Sequence, residues 1–157
     1  MKPDKEKHKG SKEERKAATS RECSEKMRQL ITGFRGRVED ELRANGLTLP
    51  QLRLLKAVKH QEDGSAAALA RTCNVTPQTL QAVLARAVQA KWIVRGKSAK
   101  NERFVTATLT PLGESVLNQG MGVVVRVEER IWREVGLSEL KQLNETLQVG
   151  IGALERK

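Results

Sequence analysis

Residues 76–109 read TPQTLQAVLARAVQAKWIVRGKSAKNERFVTATL, and this stretch decides the fold. Thr76-Pro77 is a helix start: a hydroxyl cap followed by a proline whose missing N–H costs nothing in the first turn. Behind it Leu80, Val83, Leu84, Ala87 and Val88 recur at spacings of three and four, one apolar stripe on an amphipathic helix. On a wheel of about 100° per residue, Gln78, Gln81, Ala82, Ala85 and Gln89 fall on the far side, with Arg86 at its edge. After Lys91 the period changes. Trp92–Arg95 reads as a short strand, 96–102 as a polar basic loop, and Arg103–Leu109 as a second strand rich in β-branched residues. The stretch predicts a helix followed by a two-stranded hairpin with a charged tip.

The residues before it supply a partner helix. Ser65 is read as the cap of a short helix, Ala66–Thr72, with Leu69 and Cys73 inward and Cys73-Asn74-Val75 as the turn. Two short helices, a tight turn and then a basic hairpin make a helix-turn-helix with a wing. The second helix of such a pair lies in the DNA major groove. Glutamine pairs with adenine edges and small side chains touch thymine methyls. The readers expected on this helix are Thr76, Gln78, Thr79, Gln81, Ala82 and Arg86. The hairpin supplies Arg95, Lys97, Lys100 and Arg103: the two lysines for phosphates, Arg103 for an adjacent A·T-rich minor groove.

Charge agrees with that placement. The 157 residues carry 29 Lys and Arg against 19 Asp and Glu, a net charge of +10. Ten of the basic and three of the acidic residues lie in 47–110, so that segment holds +7 of the excess. A basic centre between near-neutral flanks is the footprint of a polyanion-binding module.

Further out, Met27, Leu30, Ile31, Phe34, Val38 and Leu42 form one stripe on a long helix, ended by Asn45-Gly46. Thr48 with Gln51 makes a capping box for the next helix, whose buried stripe is Leu52, Leu55 and Val58. Thr110-Pro111 starts another helix running to Val135. Ser138 is read as the cap of the last, with Leu140, Leu143, Leu147, Ile151 and Leu154 in register. Residues 1–20 are mixed charges with almost nothing apolar, so a disordered charged tail is expected there. The expected division is therefore a tail at 1–20, helical dimerisation regions at 21–46 and 111–157, and a winged DNA-binding lobe at 47–110. The stripes outside the lobe exceed what it can cover, which predicts a homodimer. The fold class is mainly α with a small β-hairpin.

The chain resembles the MarR-type transcription regulators over about residues 21–157. The matching stretches are Leu47–Gln51 through Leu55, Leu69-Ala70, Thr79–Arg86, Lys91–Arg95, Asn101-Glu102-Arg103 and Leu109-Thr110-Pro111-Leu112-Gly113. The resemblance implies a homodimer held by its terminal helices, a pseudo-palindromic operator on double-stranded DNA, and a small-molecule effector cavity between dimer stalk and winged lobe. Two positions depart from the pattern. Lys91 stands where the family has glycine, so the helix end differs or Lys91 adopts a less comfortable backbone. Asn101 replaces the aspartate that usually anchors the wing arginine.

Other functions find little footing. Two cysteines 50 residues apart are neither a disulfide framework nor a metal site. Cys73 is read as a core residue. Cys23 sits where some MarR relatives sense peroxides, with Arg21 and Lys26 close in sequence, but the chain has no tyrosine to support a reactive thiolate. His8 and His60 are isolated. No nucleophile with a base, no phosphate loop, no cofactor site and no apolar run of membrane-spanning length occurs, so no enzyme and no membrane protein is expected, and the cytoplasm is the expected location. The competing reading is an architectural nucleoid-type protein that binds DNA with little sequence preference.

Overall fold

The computed structural model describes residues 4–60, 66–96 and 106–156. Six helices and one hairpin follow in order: α1 (Asp4–Ala44), α2 (Leu49–Lys59), α3 (Ala66–Cys73), α4 (Pro77–Gln89), β1 (Ile93–Gly96), β2 (Thr106–Leu109), α5 (Pro111–Trp132) and α6 (Leu137–Glu155). β1 and β2 pair antiparallel, Ile93 opposite Leu109 and Gly96 opposite Thr106. The expected cap of α3 at Ser65, the wing tip and the first half of the second strand (Arg103–Val105) lie outside the described residues.

One core joins lobe and stalk. Leu54 and Leu55 of α2, Leu80 and Leu84 of α4, and Ile93 of β1 are fully buried, and Val38, Leu42, Val123 and Val127 continue the cluster into α1 and α5. Among the described residues no polar or charged side chain is buried. No described helix is long and apolar enough to cross a membrane.

Three of the helix starts come from hydroxyl caps. Thr48 closes its capping box with Gln51, Thr76 accepts from the Thr79 N–H at 3.1 Å, and Thr110 accepts from the Gly113 N–H at 3.0 Å. Each cap is followed by a proline in the first turn. Three helix ends share a second device. Leu47, Val75 and Trp92 donate their N–H back to Leu42, Ala70 and Ala87, and the residue before each takes positive φ. Those residues are Gly46 (φ 71°), Asn74 (φ 54°) and Lys91 (φ 60°). The helix end after α4 therefore keeps the usual geometry, and Lys91 bears the left-handed conformation that glycine would take without cost.

Four expectations are corrected. Residues 4–20 are not a disordered tail but the first turns of the 41-residue α1. The segment is made of straight-chain helix formers, with Glu13 and Lys16 spaced for i,i+3 attraction. Extending an existing helix needs no new nucleus, so it needs no buried face. Within the described side chains, nothing before Val38 is buried. Further along α1 the exposed pairs Arg28–Glu25 (2.7 Å) and Arg35–Glu39 (3.2 Å) follow the same pattern, and hydrogen bonds from Arg28 and then Gln29 hold the Glu25 carboxyl below the ordinary carboxylate range. Second, the residue capping α6 is Gly136, whose N–H donates to the Glu139 carboxylate at 2.8 Å; Ser138 already lies inside the helix. Third, α5 stops at Trp132, and 133–135 form a turn closed by the Val135 N–H on the Trp132 carbonyl. Fourth, β1 starts at Ile93 rather than Trp92, because the Trp92 N–H still belongs to the end of α4.

Glycine is required at two points of α5. A Cβ on Gly113 would overlap the Trp92 carbonyl oxygen, and one on Gly120 would sit 2.6 Å from the Leu52 side chain. Those contacts seat α5 against the start of β1 and against α2.

Candidate nucleic-acid interface

Helix α4 presents one buried and one bare face. Leu80, Leu84 and Ala87 are buried, with Val83 and Val88 half-buried beside them. Thr76, Gln78, Thr79, Gln81, Ala82, Ala85, Arg86 and Gln89 are all exposed, as the wheel predicts. At the amino end the Thr76 and Thr79 hydroxyls lie 2.9 Å apart, and the helix dipole makes that end positive. Beside it Arg71, Asn74, Val75 and Thr76 line a shallow open depression. Backbone N–H groups, hydroxyls and a guanidinium at a helix start are suited to a phosphate.

Strand β1 adds a cation to this face. Alternation puts Ile93 and Arg95 on the same side of the strand. Ile93 is buried in the core, while Arg95, two residues on, passes the core's edge and is exposed. Its Nη2 donates to Oε1 of Gln81 at 3.4 Å. The structure thus brings together two residues that the sequence assigned separately to wing and helix. The remaining wing candidates Lys97, Lys100 and Arg103, with the departure at Asn101, lie outside the described residues.

The hairpin is fixed to the stalk at Thr110. Its hydroxyl donates to the Lys91 carbonyl at 2.6 Å, its N–H donates to Trp92 O at 2.9 Å, and its oxygen caps α5. The end of α4, the start of the hairpin and α5 therefore meet at one threonine.

A second feature lies behind the interface. Between α1, α2 and α5 runs a groove of about 380 Å3, with Ile31, Phe34, Leu52 and Met121 among its apolar walls and Arg35, Arg53 and Lys56 among its lining. Three cations and no carboxylate line it. It sits between stalk and lobe, where the family resemblance places an effector cavity. Sequence reading missed these cations because each follows an apolar stripe residue and reads as an ordinary solvated flank. Trp132 is half-buried and lines an adjoining depression with Leu30, Phe34 and Ile131. Cys73 is buried, as expected, and Cys23 is exposed on α1. Arg21, close to Cys23 in sequence, turns its Nε to the Ala17 carbonyl at 3.3 Å. Among the described residues no group of three His, Cys, Asp or Glu is placed to hold a metal.

A capped helix pair with a bare amide-rich second helix and a hairpin behind it is a winged helix-turn-helix. Residues 45–103 match the model described as MarR family, and over that stretch the chain is similar to the family. HTH-type transcriptional repressor Rv2887 of Mycobacterium tuberculosis is 29% identical over 115 residues, covering 73% of this chain and 83% of that protein. The crystal structure of Rv2887 in complex with salicylic acid superposes with a TM-score of 0.64 at 28% identity, covering 78% of this chain and 90% of the other. Rv2887 in complex with DNA gives 0.63 at 25% identity, over 80% and 93% of the two chains.

Proposed function

We propose that this protein is a sequence-specific, double-stranded DNA-binding transcription regulator that acts in the cytoplasm as a homodimer on a pseudo-palindromic operator, represses, and responds to a small organic acid. The observation that carries the reading is the α4 face: Gln78, Gln81, Ala82 and Ala85 stand exposed in a row beside a capped helix start. Amides and methyl-sized side chains on a helix that protrudes from a packed lobe suit base edges. The relative's complexes with DNA and with salicylic acid support both parts. The dimer is supported by α6, which buries none of its residues within the chain while Leu143, Leu147, Ile151 and Leu154 lie exposed along it. The effector is assigned to the groove between α1, α2 and α5, whose apolar walls and three cations match an aromatic ring bearing a carboxylate.

The test is selection from random duplexes at a stated salt concentration. A two-fold symmetric motif with half-sites about one helical turn apart is expected. Enrichment of no motif would overturn the regulator reading in favour of an architectural DNA-binding protein.

A further inference from the structure

Gln81 stands on the bare face of α4, and one end of its amide is already in use. Nη2 of Arg95 reaches it from β1 and donates to Oε1 at 3.4 Å. Chemistry fixes that orientation: a guanidinium carries five N–H donors and no acceptor, so only the oxygen end of an amide can face it. Nε2 is left as the end that can meet a base. Arg95 is itself anchored from behind, because Ile93, two residues earlier on the same side of β1, is buried in the core. Both members of the pair are exposed, so they lie on the surface that DNA would cover. Gln78 is exposed on the same helix three residues earlier, and among the described residues its amide has no such partner.

We infer that Arg95 is a positioning residue for base reading: by holding Oε1 of Gln81 it makes that side chain a donor only, and so turns its preference from adenine to guanine. The inference rests on the regulator reading above. A free glutamine amide suits adenine because it accepts from the N6 amino group while donating to N7. With Oε1 taken, the first of those bonds is lost. An adenine N6–H would then face a glutamine N–H, donor against donor, and be buried without a partner. Guanine presents O6 and N7, two acceptors side by side in the same groove. The Nε2 hydrogens fit that edge, and the charge of Arg95 beside the amide favours it further. DNA closing over the pair excludes water, which strengthens the Arg95–Gln81 bond beyond its value on an open surface. The expectation that glutamine reads adenine is thereby reversed for Gln81 alone. Gln78 keeps both ends of its amide and with them the usual preference.

The experiment uses the full chain as wild type, Arg95→Met, Gln81→Ala and the double variant. Methionine keeps the apolar stem and removes the charge. Selection from random duplexes with the wild type and Gln81→Ala identifies the base pair whose preference Gln81→Ala erases. Affinity is then read by fluorescence anisotropy on two operators that differ only in carrying G·C or A·T at that base pair. The readout is the ratio of the two affinities within one protein, from which a lost phosphate contact or a smaller folded fraction cancels. The wild type should favour G·C about tenfold, the discrimination that one good base contact gives. Arg95→Met should reverse the ratio and favour A·T several-fold. In Gln81→Ala the ratio should be near one, and adding Arg95→Met should leave it there, because Arg95 acts through Gln81. A wild type that favours A·T at this base pair overturns the inference. So does a ratio that Arg95→Met leaves unchanged, which would reduce Arg95 to a contact with phosphate. A ratio that still shifts when Arg95→Met is added to Gln81→Ala overturns it too, by making Arg95 the reader. A Gln81→Ala variant that erases no preference overturns the inference and leaves the regulator reading standing. A wild type that selects no motif overturns both.

Discussion

Lys91 shows how a single residue can be strained by a geometry its neighbours demand. The α4 helix must end where β1 begins, because the Lys91 and Trp92 carbonyls are both held by Thr110. The left-handed turn is therefore imposed, and a lysine occupies it at φ 60°. Glycine takes that conformation freely, so Lys91→Gly should stabilise the fold by about 1 kcal/mol, less the entropy glycine adds to the unfolded chain. Urea unfolding with an unchanged slope checks this; a loss of stability would show that the lysine stem packs usefully. The opposite case is Gly113. Its missing Cβ leaves room for the Trp92 carbonyl, so Gly113→Ala should cost more than about 2 kcal/mol, as overpacking against backbone does. On the exposed face of α4, Gln81 has its carbonyl oxygen held by Arg95. Gln81→Ala should cost about 1–3 kcal/mol at one operator base pair and leave binding to random DNA unchanged. An equal loss on both DNAs would show that Gln81 does not read bases.

At the scale of elements, what the sequence announces depends on how local the cause is. The caps at Thr48, Thr76 and Thr110 are legible because cap and proline lie within a few residues, and each helix starts where they stand. The bare face of α4 is legible because helical period alone separates Leu80 and Leu84 from Gln78 and Gln81. The tail was misread because burial was used as the criterion for order, whereas a run of Lys, Glu, Arg and Ala joined to a packed helix needs only propagation. The cation-lined groove was not legible at all: Arg35, Arg53 and Lys56 come from two helices, and only the fold brings them around one space. The Arg95–Gln81 contact was hidden for the same reason, since the strand's path over α4 sets it. The first turns of α1 yield a prediction of their own. Side chains 12–20 are exposed throughout, so deleting residues 1–20 should leave the unfolding midpoint within about 1 °C, with a small loss of helical circular dichroism. A large fall in the midpoint would mean that this segment packs against something in the assembled protein.

At the scale of the whole molecule the question is what covers α6. The helix is 19 residues long, and an isolated helix of that length with two internal glycines, Gly150 and Gly152, is marginal in water. Within the chain it contributes no buried residue, and Leu154 is left 88% exposed. Met27, Leu30 and Ile31 of α1 are also exposed, so α1 and α6 each leave apolar side chains open, and contiguous apolar patches mark interaction surfaces. A two-fold partner offering the same stripes would cover both at once, and under the proposed function it would set two α4 helices into successive major grooves. The 17.5 kDa chain should then scatter light as a particle of twice that mass at micromolar concentration. Leu143→Glu with Leu147→Glu places two carboxylates within the α6 stripe and should halve that mass, while the buried lobe residues Leu54, Leu80 and Leu84 stay untouched. Because the lobe keeps its reading face, the variant should bind a half-site as the wild-type lobe does and lose the gain in affinity that comes from a second linked half-site. A double variant that remains dimeric would place the interface elsewhere, and a wild type that is monomeric yet binds the full operator tightly would remove the symmetric model.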